Sequence, residues 1–123
     1  MVNIYDTINE LERNVRDLEA YNDLNQAMDA VLKNEEARQI YIEFRNYQLA
    51  LQSKMMVGQE PSEDDMKKAQ EMQESLGENE LLSDLMKKEQ ALNKYVEDVN
   101  QAIMRPIREI YNKANQKMDV KED

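Results

Sequence analysis

The chain has 123 residues, 26 of them acidic and 16 basic, a formal net charge of −10, and neither cysteine nor histidine. These absences exclude a disulfide, a cysteine-held cluster and the commonest general base and metal ligand, so we expect no enzyme, cofactor or metal site. The acidity argues against direct binding to nucleic acid, and no apolar run approaches the ~20 residues of a membrane span, so we expect a cytoplasmic protein.

The low content of helix-breaking residues predicts the fold class. Two glycines and two prolines occur in the chain, and a third of its residues are charged. Such a composition is typical of all-α proteins. We predict an elongated bundle of long antiparallel helices that is oligomeric, with a single helical domain at 1–116 and a frayed polar tail at 117–123.

The N-terminal segment predicts two helices with a bend between them. Asn3 can cap the first helix. Apolar residues then follow at alternating steps of four and three, the spacing of a coiled-coil seam: Ile4, Ile8, Leu11, Val15 and Leu18. The phase of the apolar pattern slips after Leu18, which places the bend between Arg16 and Glu19. The sequence leaves open whether the two helices are continuous there.

A third helix is predicted to follow Asn34, a second capping residue. Its apolar stripe consists of Ala37, Ile40, Tyr41, Phe44, Tyr47, Leu51 and Met55. Gln48 and Gln52 flank this stripe one turn apart, either as buried amides that set the helix register or as residues at its wet edge. Gly58 to Pro61 is predicted to be a loop, because glycine suits a helix end and the residue before proline avoids helical angles.

A short helix and a long one are predicted after this loop. Ser62 and Asp65 form a capping box, Gly77 is expected to close the short helix, and Asn79 is expected to cap the long one. From Gly58 to Asp84, nine acids face two lysines. This acidic stretch is either a docking face for a basic partner or a solvated surface that keeps the protein soluble.

The apolar stripe of the long helix extends from Leu81 to Ala114. Roughly 35 residues at ~1.5 Å each form a rod of about 50 Å, too long for a monomer of this size to bury. We therefore predict self-association. Pro106 lies inside the stripe, so the helix either kinks there or ends and restarts.

The candidate interface combines the stripes of the third and the long helix. It consists of Phe44, Gln48, Leu51, Gln52, Met55, Leu92, Val96, Val99 and Ile103. Nine methionines occur in the chain, and those near the loop are either core filler or an adaptable binding surface. These patterns predict a helical bundle that acts through protein–protein contacts with a dedicated partner. The alternative is a structural or chaperone-like binder without a dedicated partner, and a third hypothesis is an all-carboxylate metalloenzyme.

A set of helical positions spread over nearly the whole chain has the spacing of a known family: Tyr21, Glu35-x-Ala37, Ile40, Phe44, Gln48, Gln52, Gly58, Asn79-x-Leu81, Val99-Asn100 and Ile103. In this spacing the chain resembles the YlbF/YmcA family. Its length, its acidic loop and its Asn-Ile-Tyr start are similar to the YheA-type branch.

The resemblance implies a small, all-helical cytoplasmic protein of Gram-positive bacteria that forms homo-oligomers. The founding relatives are non-enzymatic adaptors that assemble with a partner protein and influence ribonuclease-dependent mRNA maturation, competence, sporulation and biofilm formation. Those relatives are associated with iron–sulfur clusters through cysteines. Because this chain has no cysteine, neither cluster binding nor the full adaptor role transfers to it. What the resemblance implies for this chain is a non-enzymatic regulatory adaptor, linked through a protein partner to RNA processing or to the regulation of competence and sporulation.

Overall fold

Five α-helices account for nearly all of the backbone in a computed structural model, which describes the backbone of residues 2–122 and the side chains of residues 2–116. Their bounds are Ile4–Asp17 (α1), Glu19–Lys33 (α2), Glu35–Met56 (α3), Glu63–Glu78 (α4) and Glu80–Glu122 (α5). No strand occurs in the described backbone. The predicted all-α fold is confirmed.

The boundaries of the first three helices follow from local backbone chemistry. Leu18 adopts extended angles (φ −67°, ψ 138°) and separates α1 from α2, which confirms the predicted break at the phase slip. The side chain of Asn3 accepts a hydrogen bond from the backbone N–H of Tyr5 at 3.2 Å. Asn34 accepts one from the N–H of Ala37 at 2.9 Å and so caps α3. Each cap satisfies an N–H that a helix leaves unpaired at its start.

The loop between α3 and α4 has the predicted residues at both ends: a glycine after α3 and a capping box at the start of α4. Gly58 follows α3 with φ of +82°, a left-handed angle that favours glycine. The Asp65 N–H donates to the Ser62 hydroxyl at 3.1 Å, and the Ser62 N–H donates to the Asp65 carboxylate at 3.0 Å. The capping box is therefore complete.

The predicted role of Gly77 is wrong. Gly77 lies inside the last turn of α4 and has no positive φ, and the helix ends one residue later, at Glu78. Asn79 adopts extended backbone angles (φ −89°, ψ 122°), which interrupt the helix. Its side chain then accepts from the N–H groups of Leu81 and Leu82, both at 3.1 Å. The cap of the next helix, and not the glycine, separates α4 from α5.

The core of the chain is small and lies where four helix ends meet. The end of α2, the start of α3, the end of α4 and the start of α5 supply the buried side chains of the described part of the chain: Ala27, Val31, Ala37, Leu76, Leu82 and Leu85. Apolar residues make up 41% of the sequence. Most of them therefore remain partly or largely in contact with solvent.

Contacts divide the chain into two units, one up to Glu89 and one from Gln90, and the second consists of the remainder of α5. The α5 helix has 43 residues, about 65 Å at the standard rise, and it continues through Pro106. The possibility that it ends and restarts at Pro106 is thereby excluded, and the kink stays a prediction. The single-domain assignment at 1–116 also stays a prediction. The predicted frayed tail at 117–123 falls where α5 extends to Glu122, and its side chains lie outside the described residues.

Candidate functional site

The predicted interface residues of α3 divide into two groups along the helix. Phe44 is half-buried and packs against the core. Together with Gln48 it lines a hollow of about 190 Å³ that Leu76, Leu82 and Leu85 also line. The C-terminal half of the stripe is less covered: Leu51 is half-buried, Gln52 is exposed, and Met55 is 61% exposed.

Gln48 and Gln52 are both exposed in the single chain. This location agrees with the wet edge of the stripe, the second of the two interpretations of these amides. Because an exposed amide keeps its hydrogen bonds to water, neither glutamine fixes the position of α3 within the chain itself.

The predicted interface residues of α5 lie in the second unit. Leu92 and Val99 are half-buried, and Val96 and Ile103 are exposed. Further along the same stripe, Ile107 is exposed and Ile110 keeps 63% of its surface in contact with solvent. Isoleucine side chains in regular succession on one helix face are a surface that partners commonly cover.

A second apolar line lies on α3 that the sequence pattern did not predict. Ile42, Leu49 and Met56 are spaced by seven residues and are 47%, 53% and 82% exposed. A spacing of seven places them one above the other along the helix, roughly opposite the Phe44 stripe. The spacing of seven is present in the sequence, but the stripe that contains Phe44 has more apolar residues and is therefore predicted as the only apolar face of this helix.

A polar cluster that sequence analysis also missed joins α3 to α4. Lys54 donates to the Asp65 carboxylate at 2.7 Å, and the Tyr47 hydroxyl donates to the Asp65 backbone carbonyl at 2.5 Å. The Lys68 ammonium lies 5.3 Å from the centre of the Tyr47 ring. These contacts attach the start of α4 to the C-terminal half of α3, because each joins residues of different helices.

The same contacts perturb the titration of the cluster. The hydrogen bond from Lys54, with those from Ser62, lowers the pKa of Asp65 to about 2. That hydrogen bond and the carboxylate charge raise the pKa of Lys54 above its ordinary value. Desolvation and the nearby carboxylate raise the pKa of Tyr47. All three groups therefore keep their usual charge near neutral pH, as expected of a structural lock between helices.

Acidic side chains line a second hollow, which is larger than the one beside Phe44. It measures about 600 Å³ and contains Glu36, Glu78 and Glu80 beside the capping residues Asn34 and Asn79. Within the described part of the chain, no three acidic side chains are close enough together to hold a metal ion. The acids at the starts of α3 and α5 are instead placed to stabilise the positive ends of those helices.

No described helix combines the length and the apolar character that crossing a membrane requires.

Comparison with known proteins identifies relatives over nearly the full chain. A family model described as control of competence regulator ComK, YlbF/YmcA, matches residues 4–108. A UPF0342 protein of Staphylococcus haemolyticus is 40% identical over 110 residues, which cover 89% of this chain and 96% of the relative. A UPF0342 protein of Staphylococcus epidermidis is 39% identical over the same share of both chains.

Two solved structures are similar in fold. A protein of unknown function (DUF964) from Bacillus stearothermophilus has a TM-score of 0.79 and 29% identity, over 88% of this chain and 95% of the other. The yheA protein from Bacillus subtilis has a TM-score of 0.69 and 28% identity, over 89% and 100%. The names of the family and of the relatives refer to regulation or to unknown function, and none refers to an enzyme.

Proposed function

Because this chain belongs to the YlbF/YmcA family and fits its YheA-type branch, we propose that it is a non-enzymatic regulatory adaptor. It binds a protein partner and also associates with further copies of itself. The process it regulates is competence or sporulation, or the RNA processing connected with them. The family description, control of competence regulator ComK, supports the regulatory part of this proposal.

The observation that carries the proposal is the amount of ordered apolar surface left open. Ile42 and Leu49 on α3 and Ile103 and Ile110 on α5 are exposed although each lies within a regular helical line. Isolated exposed apolar residues are normal, but rows of them on rigid helices mark surfaces that bind other proteins. Helix faces of this kind receive partner helices through residues at steps of three, four and seven.

The partner-binding test is affinity capture from native bacterial lysate with the full-length chain as bait. An adaptor should retain one dominant, stoichiometric protein after a stringent wash. Leu49→Asp and Ile103→Asp each place a charge within an apolar line and should reduce that retention, whereas Gln101→Asp, on the opposite side of α5, should not. If no protein survives the wash, or if all three variants retain the wild-type pattern, the adaptor proposal is contradicted.

Light scattering tests self-association separately. At micromolar concentration the particle mass should be at least twice the 14.5 kDa of one chain. A cooperatively folding monomer at this concentration would contradict the self-association part of the proposal while leaving partner binding intact.

Exposed methionines favour one second candidate, a chaperone-like binder. Met55, Met56 and Met66 flank the loop between α3 and α4, and Met56 is 82% exposed. Flexible thioether side chains adapt to many apolar surfaces. This candidate predicts many weakly retained proteins in the same capture experiment, and substitution of all three methionines by glutamine should remove them together.

A further inference from the structure

The exposed apolar line of α3 alternates with two arginines and a glutamine. Together they form a series at alternating steps of four and three: Arg38, Ile42, Arg45, Leu49, Gln52 and Met56. At about 100° per residue the six positions fall within an arc of about 80°, so they lie on one face of the helix. All six side chains are exposed. We call this face the arginine seam.

Arg45 is the unbalanced charge of the arginine seam. Ile42 lies one turn before it and Leu49 one turn after it. No acidic residue occurs from position 44 to position 59, although the whole chain has a net charge of −10. Within the described residues Arg45 forms no ion pair. Its guanidinium is therefore a local positive charge between two exposed apolar side chains.

The surroundings of Arg38 are different. Arg38 donates a hydrogen bond to the backbone carbonyl of Leu32 at 3.5 Å. It also lines an open hollow of about 310 Å³, together with Ile42 and two acidic residues, Glu35 and Glu43. The hollow leaves room for an apolar side chain of a partner beside Ile42. Because two carboxylates already lie near Arg38, its charge needs a partner less than the charge of Arg45 does.

Two copies of the arginine seam do not match each other. In a parallel pair Arg45 meets Arg45 of the other copy, and like charges penalise that contact. In an antiparallel pair each guanidinium lies against an apolar side chain, and the acid-free segment opposite it supplies no carboxylate. A guanidinium that is buried without a counter-charge destabilises an interface strongly. The pattern therefore requires a helix of different sequence.

We propose that the arginine seam binds an amphipathic helix of another protein, in which a carboxylate lies between apolar residues at steps of three and four. The carboxylate pairs with the guanidinium of Arg45, whose planar fork can donate two parallel hydrogen bonds. The apolar residues on either side pack on Ile42 and Leu49 and exclude water from the ion pair. This inference rests on the proposed adaptor function and adds the surface and the chemistry of the partner.

A peptide titration tests this chemistry without the natural partner. The probe is a fluorescent helical peptide of three heptads, with leucine at the first and glutamate at the fifth position of each. Its control has glutamine in place of each glutamate. The net charge of −10 repels an acidic peptide from the chain as a whole, so a preference for glutamate reports a local positive charge. We expect fluorescence anisotropy to show about tenfold tighter binding of the glutamate peptide.

Charge reversal in the full-length protein locates that positive charge. Arg45→Glu should weaken binding of the glutamate peptide by about tenfold, and Arg38→Glu should weaken it less. Arg13→Glu on α1 is the matched control and should leave binding unchanged, because Arg13 is also exposed and its reversal changes the net charge equally. A peptide with lysine in place of glutamate should bind Arg45→Glu more tightly than Arg13→Glu, although the two variants have the same net charge. Equal affinities of these two variants for both peptides would overturn the proposal.

The lysate-capture and light-scattering experiments separate this inference from the proposed function. Loss of the dominant captured protein from Arg45→Glu, with an unchanged particle mass, would support the proposal. If Arg45→Glu retains that protein, the partner binds elsewhere, so the proposal is overturned and the adaptor function stands. A fall in the particle mass of Arg45→Glu would show that a second copy covers the seam and would also overturn the proposal. If wild type captures no protein, the adaptor function is contradicted, and the peptide titration decides the chemistry of the seam by itself.

Discussion

Phe44 allows the α3 face to be tested quantitatively because it is half-buried within the chain. It packs against the small core but keeps part of its ring open to solvent. A fully buried phenylalanine costs about 3–5 kcal/mol when truncated to alanine, so the part that packs within one chain should contribute about 2 kcal/mol. Any partner that covers the rest of the ring adds a contribution that appears only in the assembled protein.

Leu82 is the matched control, since it is 1% exposed and belongs to the same core. Leu82→Ala should cost about 2–5 kcal/mol and leave the association equilibrium unchanged. Phe44→Ala should lower stability less at low concentration and should also reduce the rise of the melting temperature with protein concentration. Gln48→Ala, at an exposed position, should change the stability of the single chain by no more than about 0.5 kcal/mol.

The assay is urea unfolding followed by circular dichroism, at two protein concentrations about a hundredfold apart, with light scattering on the same samples. The free energy of unfolding should increase with protein concentration by the same amount in wild type and in Leu82→Ala, although it is lower in the variant at both concentrations. The reasoning is refuted if Phe44→Ala retains both the wild-type mass and the wild-type concentration dependence. In that case the open part of the ring contacts no other chain.

Three further results are expected. Gly77→Ala should raise the free energy of unfolding by about 0.5–1 kcal/mol, because Gly77 is helical and nothing lies within 4 Å of an added Cβ. Gly58→Ala should lower the free energy of unfolding by about 1 kcal/mol, because the φ of Gly58 is +82°. Equal effects of the two substitutions in urea unfolding would contradict this. The pKa of Asp65 is lowered from its ordinary value of 3.8 to about 2, so the ionised carboxylate stabilises the fold above pH 3.8 and this stabilisation is lost as the pH falls through about 2. Asp65→Asn should therefore melt at a lower temperature than wild type near pH 6, and the difference should vanish in strong acid. A difference in melting temperature that is independent of pH would contradict this. Chelator treatment should leave the melting temperature unchanged, and a fall of several degrees would reveal a structural metal.

Local boundaries were predictable because their hydrogen bonds join residues close in sequence. Asn34 accepts from a residue three positions ahead, and the capping box of Ser62 and Asp65 has the same separation. The break at Leu18 was visible as a phase slip in the apolar pattern, since two helices that bury different faces cannot share one continuous stripe. In each case the information lies within one or two helical turns.

Gly77 shows where such local reasoning fails. Glycine is common just after a helix, yet α4 includes Gly77 and ends before Asn79. A glycine within a helix costs only about 1 kcal/mol, and the two hydrogen bonds that Asn79 accepts at the start of α5 set the boundary instead. The tendency of glycine to end a helix was therefore outweighed by the cap that Asn79 provides for the following helix.

The sequence by itself determined that the chain is helical, where most of its helices begin and end, and which faces are apolar, because each of these depends on residues within about seven positions. It also determined that the apolar stripes are longer than this chain can bury. Only the tertiary structure decided which stripe residues are covered: Leu82 is buried whereas Ile103 is open. It likewise decided that Lys54 and Tyr47 meet Asp65 across 11 and 18 residues. Such contacts depend on how helices distant in sequence pack, and periodicity within one helix carries no information about that packing.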